Sequence, residues 1–256
     1  MDSRLLHITR TMDSNTNRMD ADILTKPVLS IETATPVCSV ALRLADGSIQ
    51  ELRAEGKGVH SEQTFVFIER LLAREKLAVA DLGGVIVSAG PGSYTGLRVA
   101  SSAVKGLLFQ THVPLYACQT LGAIALGVWQ EAGLPGSFPG CDTVIDARRN
   151  HLYHQSWRFR EDGVEPESDV TVRELEEVME RWESGRIVAG TGMERLKKTE
   201  AGVAGKVEKP RELPVSKVVG AAHILSALGR SSGEPAQKLI KKVAPEHFEP
   251  YYYTGL

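Results

Sequence analysis

Apolar residues along this chain gather mostly into short runs at strand spacing, with a few helical stripes between them. VLSIET (Val28–Thr33), VCSVALRL (Val37–Leu44) and IQELRAE (Ile49–Glu55) follow one another. An Asp46-Gly47 turn joins the last two, which predicts three strands with a hairpin. A helix is expected over Ser61–Arg74, where Phe65, Ile68 and Leu72 form one stripe and Val66, Phe67 and Leu71 fall outside it. In VIVSAGPGSYTGLRVASSAVKGLLF (Val85–Phe109), Val85, Ile86 and Val87 read as strand and Gly90, Pro91, Gly92 and Gly96 as turn. Ser93 or Thr95 caps the helix of small residues that follows. The theme then returns. VIDAR (Val144–Arg148) opens as strand, HLYHQSWRF (His151–Phe159) returns antiparallel, and a capping box at Thr171–Glu174 starts a helix reaching about Trp182. RIVAGTGMERL (Arg186–Leu196) repeats strand, glycine turn (Gly190, Gly192) and helix. A last helix is expected near Val215–Leu228, between Ser216 and Gly229, and Glu200–Pro214 reads as surface loop.

A strand running into a glycine turn and a helix points backbone N–H groups at an anion. The turn after Val87 is not a Walker A loop, which needs Lys-Ser/Thr where this chain has Leu97-Arg98. Nor is it a dinucleotide fingerprint, since its spacing is GxGxxxG. As a bare pattern it fits a phosphate site and a plain strand-to-helix turn alike. Two strand-rich halves, each ending in strand, glycine turn and helix, predict a duplicated α/β fold of two lobes. The Pro/Gly stretch GLPGSFPG divides them. The first lobe is placed at 27–132, the linker at 133–140 and the second lobe at 141–256. Residues 1–26 are polar and charged, and are expected as a disordered tail or an early start, with Met19 as the alternative start.

Composition narrows the function. The 256 residues carry 30 Lys and Arg against 32 Asp and Glu, a net charge of -2. A chain that grips nucleic acid alone needs a basic face, and the dense basic runs are Arg195–Lys198 and Lys238–Lys242. Any nucleic acid is therefore expected to be held mainly by another subunit. No apolar run approaches the ~20 residues of a membrane span, and the first stretch has no apolar core of a signal peptide; a cytoplasmic location is expected. Cys38, Cys118 and Cys141 form no CxxC pair, and Cys38 and Cys118 read as small core residues.

The wording AGPGSYTGLR, followed by a small-residue helix and a Val-Pro-Leu strand, resembles the TsaB family. LSIETATPVCSVAL, HSEQTFVFIERLL and VIDARRNHLYHQSW fall where that family has them, and PEHFEPYYY looks like its closing segment without the usual Tyr-Leu-Arg ending. The resemblance implies a two-lobed actin-like, ribonuclease-H-like fold. It also implies the non-catalytic paralogue in the bacterial machinery that makes threonylcarbamoyladenosine on tRNA. The implied partners are a TsaD-type catalytic subunit, a TsaE-type ATPase, tRNA through the complex, and a second copy of this chain when it is alone. ATP and metal ion would belong to the partner subunits, with no cofactor bound by this chain alone.

In active members of the wider fold, an acidic residue ending the first strand of each lobe holds metal and water, and the glycine loops hold phosphates. Carried over, these positions are Glu32 and Asp146, with Gly90, Gly92, Ser93, Gly190 and Gly192 as a residual anion or nucleotide cleft. Glu32 is longer than the usual Asp. Both acids also have a structural reading, since a strand-end acid often accepts backbone N–H bonds. The catalytic paralogue places two histidines four apart on a helix after its Pro-led strand. Aligned from Pro114, those places fall on Thr120 and Ile124, and neither serves as a ligand. His151 and His154, three apart in a strand, are expected on opposite faces. No HExxH, GxSxG nucleophile elbow or recognisable Ser-His-Asp order appears: GRSSG (Gly229–Gly233) has the spacing but follows the expected last helix rather than a strand, and nothing marks a base for Ser93.

Gly96, Ala100, Ala103 and Gly106 recur at helical intervals, flanked by Leu107. Such a stripe admits a close helix neighbour, inside the monomer or from a partner. The resemblance assigns it, with Phe67 and Leu71, to a partner contact. The alternative function is an ATP-dependent transferase or kinase acting alone through Glu32, Asp146 and the glycine loops; a peptidase is the remotest reading.

Overall fold

The computed structural model describes residues 22–56, 58–131, 139–161, 163–180, 186–200, 211–212, 219–230 and 239–253. A turn of helix, α1 (Asp22–Thr25), precedes β1 (Val28–Glu32), β2 (Val37–Arg43) and β3 (Ile49–Glu55). Helix α2 (Val59–Arg74) leads to β4 (Gly84–Gly90), α3 (Tyr94–Leu107), β5 (Leu115–Gln119) and α4 (Thr120–Glu131). Next come β6 (Gly140–Asp146), β7 (His151–Arg160), β8 (Gly163–Pro166), β9 (Thr171–Glu174), α5 (Leu175–Glu180) and β10 (Ile187–Ala189). The chain closes with α6 (Met193–Glu200), β11 (Arg211–Glu212), α7 (Ala221–Arg230) and β12 (Ile240–Val243).

The first sheet runs β12-β5-β4-β1-β2-β3, and the second β11-β10-β6-β7-β8 with β9 also paired to β7. β1 is antiparallel to β2 and parallel to β4, which is parallel to β5. Every residue of β1, β2 and β4 is buried, because helices cover both faces of the sheet. Alternate side chains part accordingly. Val85 and Val87 meet α2 and α3 through Phe67, Leu71, Ala100 and Val104. Ile86 points the other way, into a core that continues through α4 and α7 to Cys141, Trp157 and Ile187 of the second sheet. Helix α4 is therefore apolar all round, with nine consecutive buried residues from Thr120 to Val128. This is the two-lobed, actin-like α/β architecture, its lobes joined by one shared core.

Several boundaries differ from expectation. Thr171–Glu174 is not a capping box: it is strand β9, registered on β7 from His151↔Glu174 to His154↔Thr171, and the helix begins at Leu175. Ladder pairing with β7 overrides the local cap signal. Ile240–Val243, expected in the second lobe, instead pairs antiparallel with β5 at the edge of the first sheet. Helix α7 likewise packs on β1, β2 and β3. Asp22–Lys26 falls in the expected tail, yet Ile23 is fully buried and its carbonyl accepts from Arg43. Most of the 133–140 linker, the end of the helix near Trp182, residues 215–218 of the last helix, Lys238 and most of the 200–214 loop lie outside the described residues. All three cysteines are buried and free.

Candidate functional site

The ends of β1 and β4 in the first lobe face the end of β6 in the second across a cleft of about 530 Å³. Thr35, Gly92, Ser93 and Tyr94 line one side, and Asp146, Arg148, Tyr153 and Thr191 the other. A larger hollow of about 920 Å³ sits at the opposite end of the first sheet, by Phe109, Pro114 and Val243, away from both acidic positions.

Glu32 does not reach this cleft. Its Oε1 accepts the Ala34 N–H at 2.8 Å and the Thr35 N–H at 3.1 Å, and its Oε2 accepts the Ser88 hydroxyl. Burial raises its pKa above the ordinary carboxylate value, and the hydrogen bonds from Ser88, Ala34 and Thr35 only partly oppose that shift. Through these bonds its carboxyl organises the turn after β1.

The glycine loop is filled by that same turn. Ser93 N–H donates to the Ala34 carbonyl at 2.7 Å, Gly90 N–H to the Thr120 hydroxyl at 3.2 Å, and Gly96 N–H to the Ser93 hydroxyl at 3.2 Å. A Cβ on Gly92 would collide with the Ala34 carbonyl, and one on Gly96 with the Thr33 carbonyl. The second turn repeats the device. Gly190, at φ 117°, backs onto the Val144 carbonyl, which also accepts the Gly192 N–H at 3.1 Å. These glycines are needed for close approach of the chain to itself. The plain-turn reading describes them better than an anion cradle.

Asp146 does face the cleft. Its Oδ1 accepts the Arg148 N–H at 2.8 Å and pairs with Arg195 Nη1 at 3.0 Å. Arg195 also donates to the Arg149 carbonyl, clamping a turn in which Arg148 and Arg149 hold φ of 73° and 49°. Of the expected cleft set, the structure gathers Gly92, Ser93 and Asp146 on the cavity wall and leaves Glu32, Gly90, Gly190 and Gly192 behind it.

The two places matched to the paralogue's histidines offer no ligand pair here. Thr120 is buried with its hydroxyl accepting from Gly90, and Ile124, also buried, carries no donor. Among the described residues no three His, Cys, Asp or Glu side chains converge as a metal site would require. His154 is instead buried beside Asp142, with Nε2 to Oδ1 at 3.3 Å. Asp142 also accepts the Ser156 hydroxyl at 2.5 Å and Arg186 Nε at 3.1 Å. Burial acts to raise the Asp142 pKa, yet the bonds from His154 and Ser156 and the Arg186 charge carry it below the ordinary value. Nothing local in the sequence marks this network, because its members come from β6, β7 and the residue before β10.

The expected partner stripe is mostly internal. Phe67, Leu71, Gly96, Ala100 and Ala103 are buried within the chain. The small side chains let α3 lie close to its own sheet and to α2. Leu107 is half-buried, whereas Gly106 is exposed, with no atom within 4 Å of where a Cβ would stand. The outward surface carries Phe65, 52% exposed, and Val66, 41% exposed.

A family model described as "TsaD: tRNA N6-adenosine threonylcarbamoyltransferase" matches residues 55–233. The "tRNA threonylcarbamoyladenosine biosynthesis protein TsaB" of Escherichia coli (strain K12) is 27% identical over 169 residues, 64% of this chain and 71% of the relative. The protein of the same name from Bacillus subtilis (strain 168) is 27% identical over 155 residues, 59% of this chain and 65% of the relative. Among solved structures, "YeaZ from Pseudomonas aeruginosa" superposes with a TM-score of 0.71 at 24% identity, covering 89% of this chain and 100% of YeaZ. That likeness establishes the shared fold.

Proposed function

This chain belongs to the tRNA N6-adenosine threonylcarbamoyltransferase family, in its TsaB branch, and on that premise we propose that it is a non-catalytic subunit of threonylcarbamoyladenosine synthesis on tRNA. It binds and activates a TsaD-type catalytic subunit, with a TsaE-type ATPase as the further partner. The observation that carries this reading is the engagement of Glu32 in its own turn and with Ser88. An actin-like catalyst needs the acid at that place open to metal and water. A subunit of this kind acts by binding an active conformation of its partner more tightly than the inactive one. The net charge of -2 supports a division in which the partners hold most of the tRNA. Its proposed place of work is the cytoplasm, beside that tRNA. Among the described residues no helix is long and apolar enough to cross a membrane.

The partner surface is the outward face of α2 and α3, at Phe65, Val66 and Gly106. A standard interface of roughly 800 Å² per partner is centred on a few such residues. The same face would carry the self-association expected when the partner is absent.

Reconstitution tests the proposal. Mixed with the TsaD-type subunit, the TsaE-type ATPase, tRNA, ATP and threonylcarbamoyl-adenylate, the chain is required for modification and inert by itself. Gly106→Trp and Val66→Arg block co-elution with the catalytic subunit and stop modification, while melting as the parent does. The independent transferase reading needs the cleft to bind nucleotide, so calorimetric titration with Mg-ATP is the companion measurement. Arrested turnover in Asp146→Ala, with assembly and melting unchanged, overturns the scaffold reading.

A further inference from the structure

The closing segment PEHFEPYYY makes contacts that packing of the first lobe alone does not require. Phe248 is buried in the core beneath α3, and its carbonyl accepts the Ser101 hydroxyl at 3.4 Å. From there the chain runs over the glycine loop. Tyr251 N–H donates to the Ala89 carbonyl at 2.6 Å, and the Tyr251 carbonyl oxygen lies 2.6 Å from where a Cβ on Gly90 would stand. Gly90 also holds φ 111°, so only glycine lets the segment seat there. The next ring, Tyr252, lies 5.2 Å from Tyr94 at the start of α3, with the Arg98 guanidinium 5.0 Å from the Tyr94 centroid. One residue later the Tyr253 ring is 6.2 Å from Tyr153 on β7. Both separations are those of attractive aromatic pairs.

Tyr94 and Tyr153 stand on opposite walls of the interlobe cleft, and consecutive residues of one segment touch them. We propose that Phe248–Tyr253 is a clasp, tying α3 and the glycine loop of the first lobe to β7 of the second across the cleft mouth and restraining the lobes from opening. Tyr252 meets Tyr94 and Tyr253 meets Tyr153, so two consecutive rings grip both walls at once. Opening the cleft pulls Tyr253 from Tyr153, and the tension is delivered to the glycine loop through the Tyr251–Ala89 hydrogen bond. The clasp rests on these contacts alone and stands apart from the partner reading.

Hydrogen exchange on the full chain tests it, because the rings that meet can be removed one at a time. Tyr253→Ala is expected to speed amide exchange at Ala89–Gly96 and at His151–His154 by roughly two- to tenfold, the ratio set by loss of one aromatic pair. Tyr153→Ala should do the same, and the double variant should add nothing further, since each single change already breaks the one contact. Tyr253→Phe keeps the ring and should exchange as the parent does. Exchange confined to β7, with the first-lobe loop unchanged, overturns the proposal; so do additive effects of the two alanine variants. Should Tyr153→Ala lower the melt through its neighbours on β7, Tyr253→Ala alone still decides the matter, because the loop it must affect lies in the other lobe.

Discussion

Thr33 and Gly96 lock the turn after β1 onto the first turn of α3: the Thr33 hydroxyl donates to the Gly96 carbonyl at 2.8 Å, while the Thr33 carbonyl occupies the place of a Cβ on residue 96. A side chain at 96 therefore has to move backbone. Gly96→Ala is expected to destabilise by about 1–3 kcal/mol or more through overpacking. Gly106→Ala, on the open side of the same helix, should stabilise by roughly 0.5–1 kcal/mol, since only the backbone entropy of glycine is removed. Denaturant midpoints of the two variants, moving in opposite directions, check the pair.

Glu32 makes stability depend on pH with a definite sign. Its folded pKa lies above the unfolded value, so the native state binds more protons between the two, and stability falls as pH rises through that window. Glu32→Gln still accepts the Ala34 and Thr35 N–H groups, and its amide can donate to Ser88. It should retain the fold and remove the slope above the ordinary carboxylate range. Glu32→Ala leaves those buried groups unpaired and should cost about 1–3 kcal/mol for each. Urea melts of the three proteins from pH 4 to pH 8 separate the effects.

Asp142 carries the opposite sign. Its folded pKa is below the unfolded value, so its contribution is present above the ordinary aspartate range and is lost as pH falls through the folded pKa. Asp142→Asn leaves Arg186, whose side chain is 9% exposed, with Glu167 as its remaining acidic partner. Breaking one side of such a buried pair costs about 3–5 kcal/mol. Thermal melts at pH 7 should show the loss, and it should shrink on acidification.

Ile23 tests where the fold begins. Its side chain is fully buried among Val28, Ile86 and Tyr116, so Ile23→Ala is expected to cost about 2–5 kcal/mol. A deletion that ends at Thr25 should show the same penalty, measurable as a lowered melting midpoint. An unchanged midpoint would show that the α1 segment contributes nothing to stability.

Ala103→Trp distinguishes core from surface on α3. Ala103 is 0% exposed, so the larger ring should lower the melt directly, by about 1–3 kcal/mol or more. Gly106→Trp, three residues on, should leave it nearly unchanged.

Elements whose signal is local can be read from the chain alone. The β1–β3 meander, the strand–turn–helix from Val85 to Phe109 and the antiparallel return of His151–Phe159 are read from short strand-like runs bounded by turn residues: β1, β2 and β4 are buried on both faces and run mostly apolar, while β3 and β7 are only partly buried and keep polar residues. Motif wording determined the family. Tertiary structure alone decided which face each residue serves. A small-residue stripe is the same in sequence whether the neighbour is its own sheet or another chain, and only the fold turned Ala100 and Ala103 inward and left Phe65 and Val66 outside. A strand-end acid is likewise written identically as ligand or as turn organiser. Glu32 became the second because Ala34, Thr35 and Ser88 converge on it, whereas Asp146 kept an open side. Strand β12 joined the first sheet, Thr171–Glu174 became a strand, and Tyr253 met Tyr153 through contacts between residues far apart in the chain. Pattern reading sees only the neighbours along the chain; the free energy of burial and pairing depends on the neighbours in space.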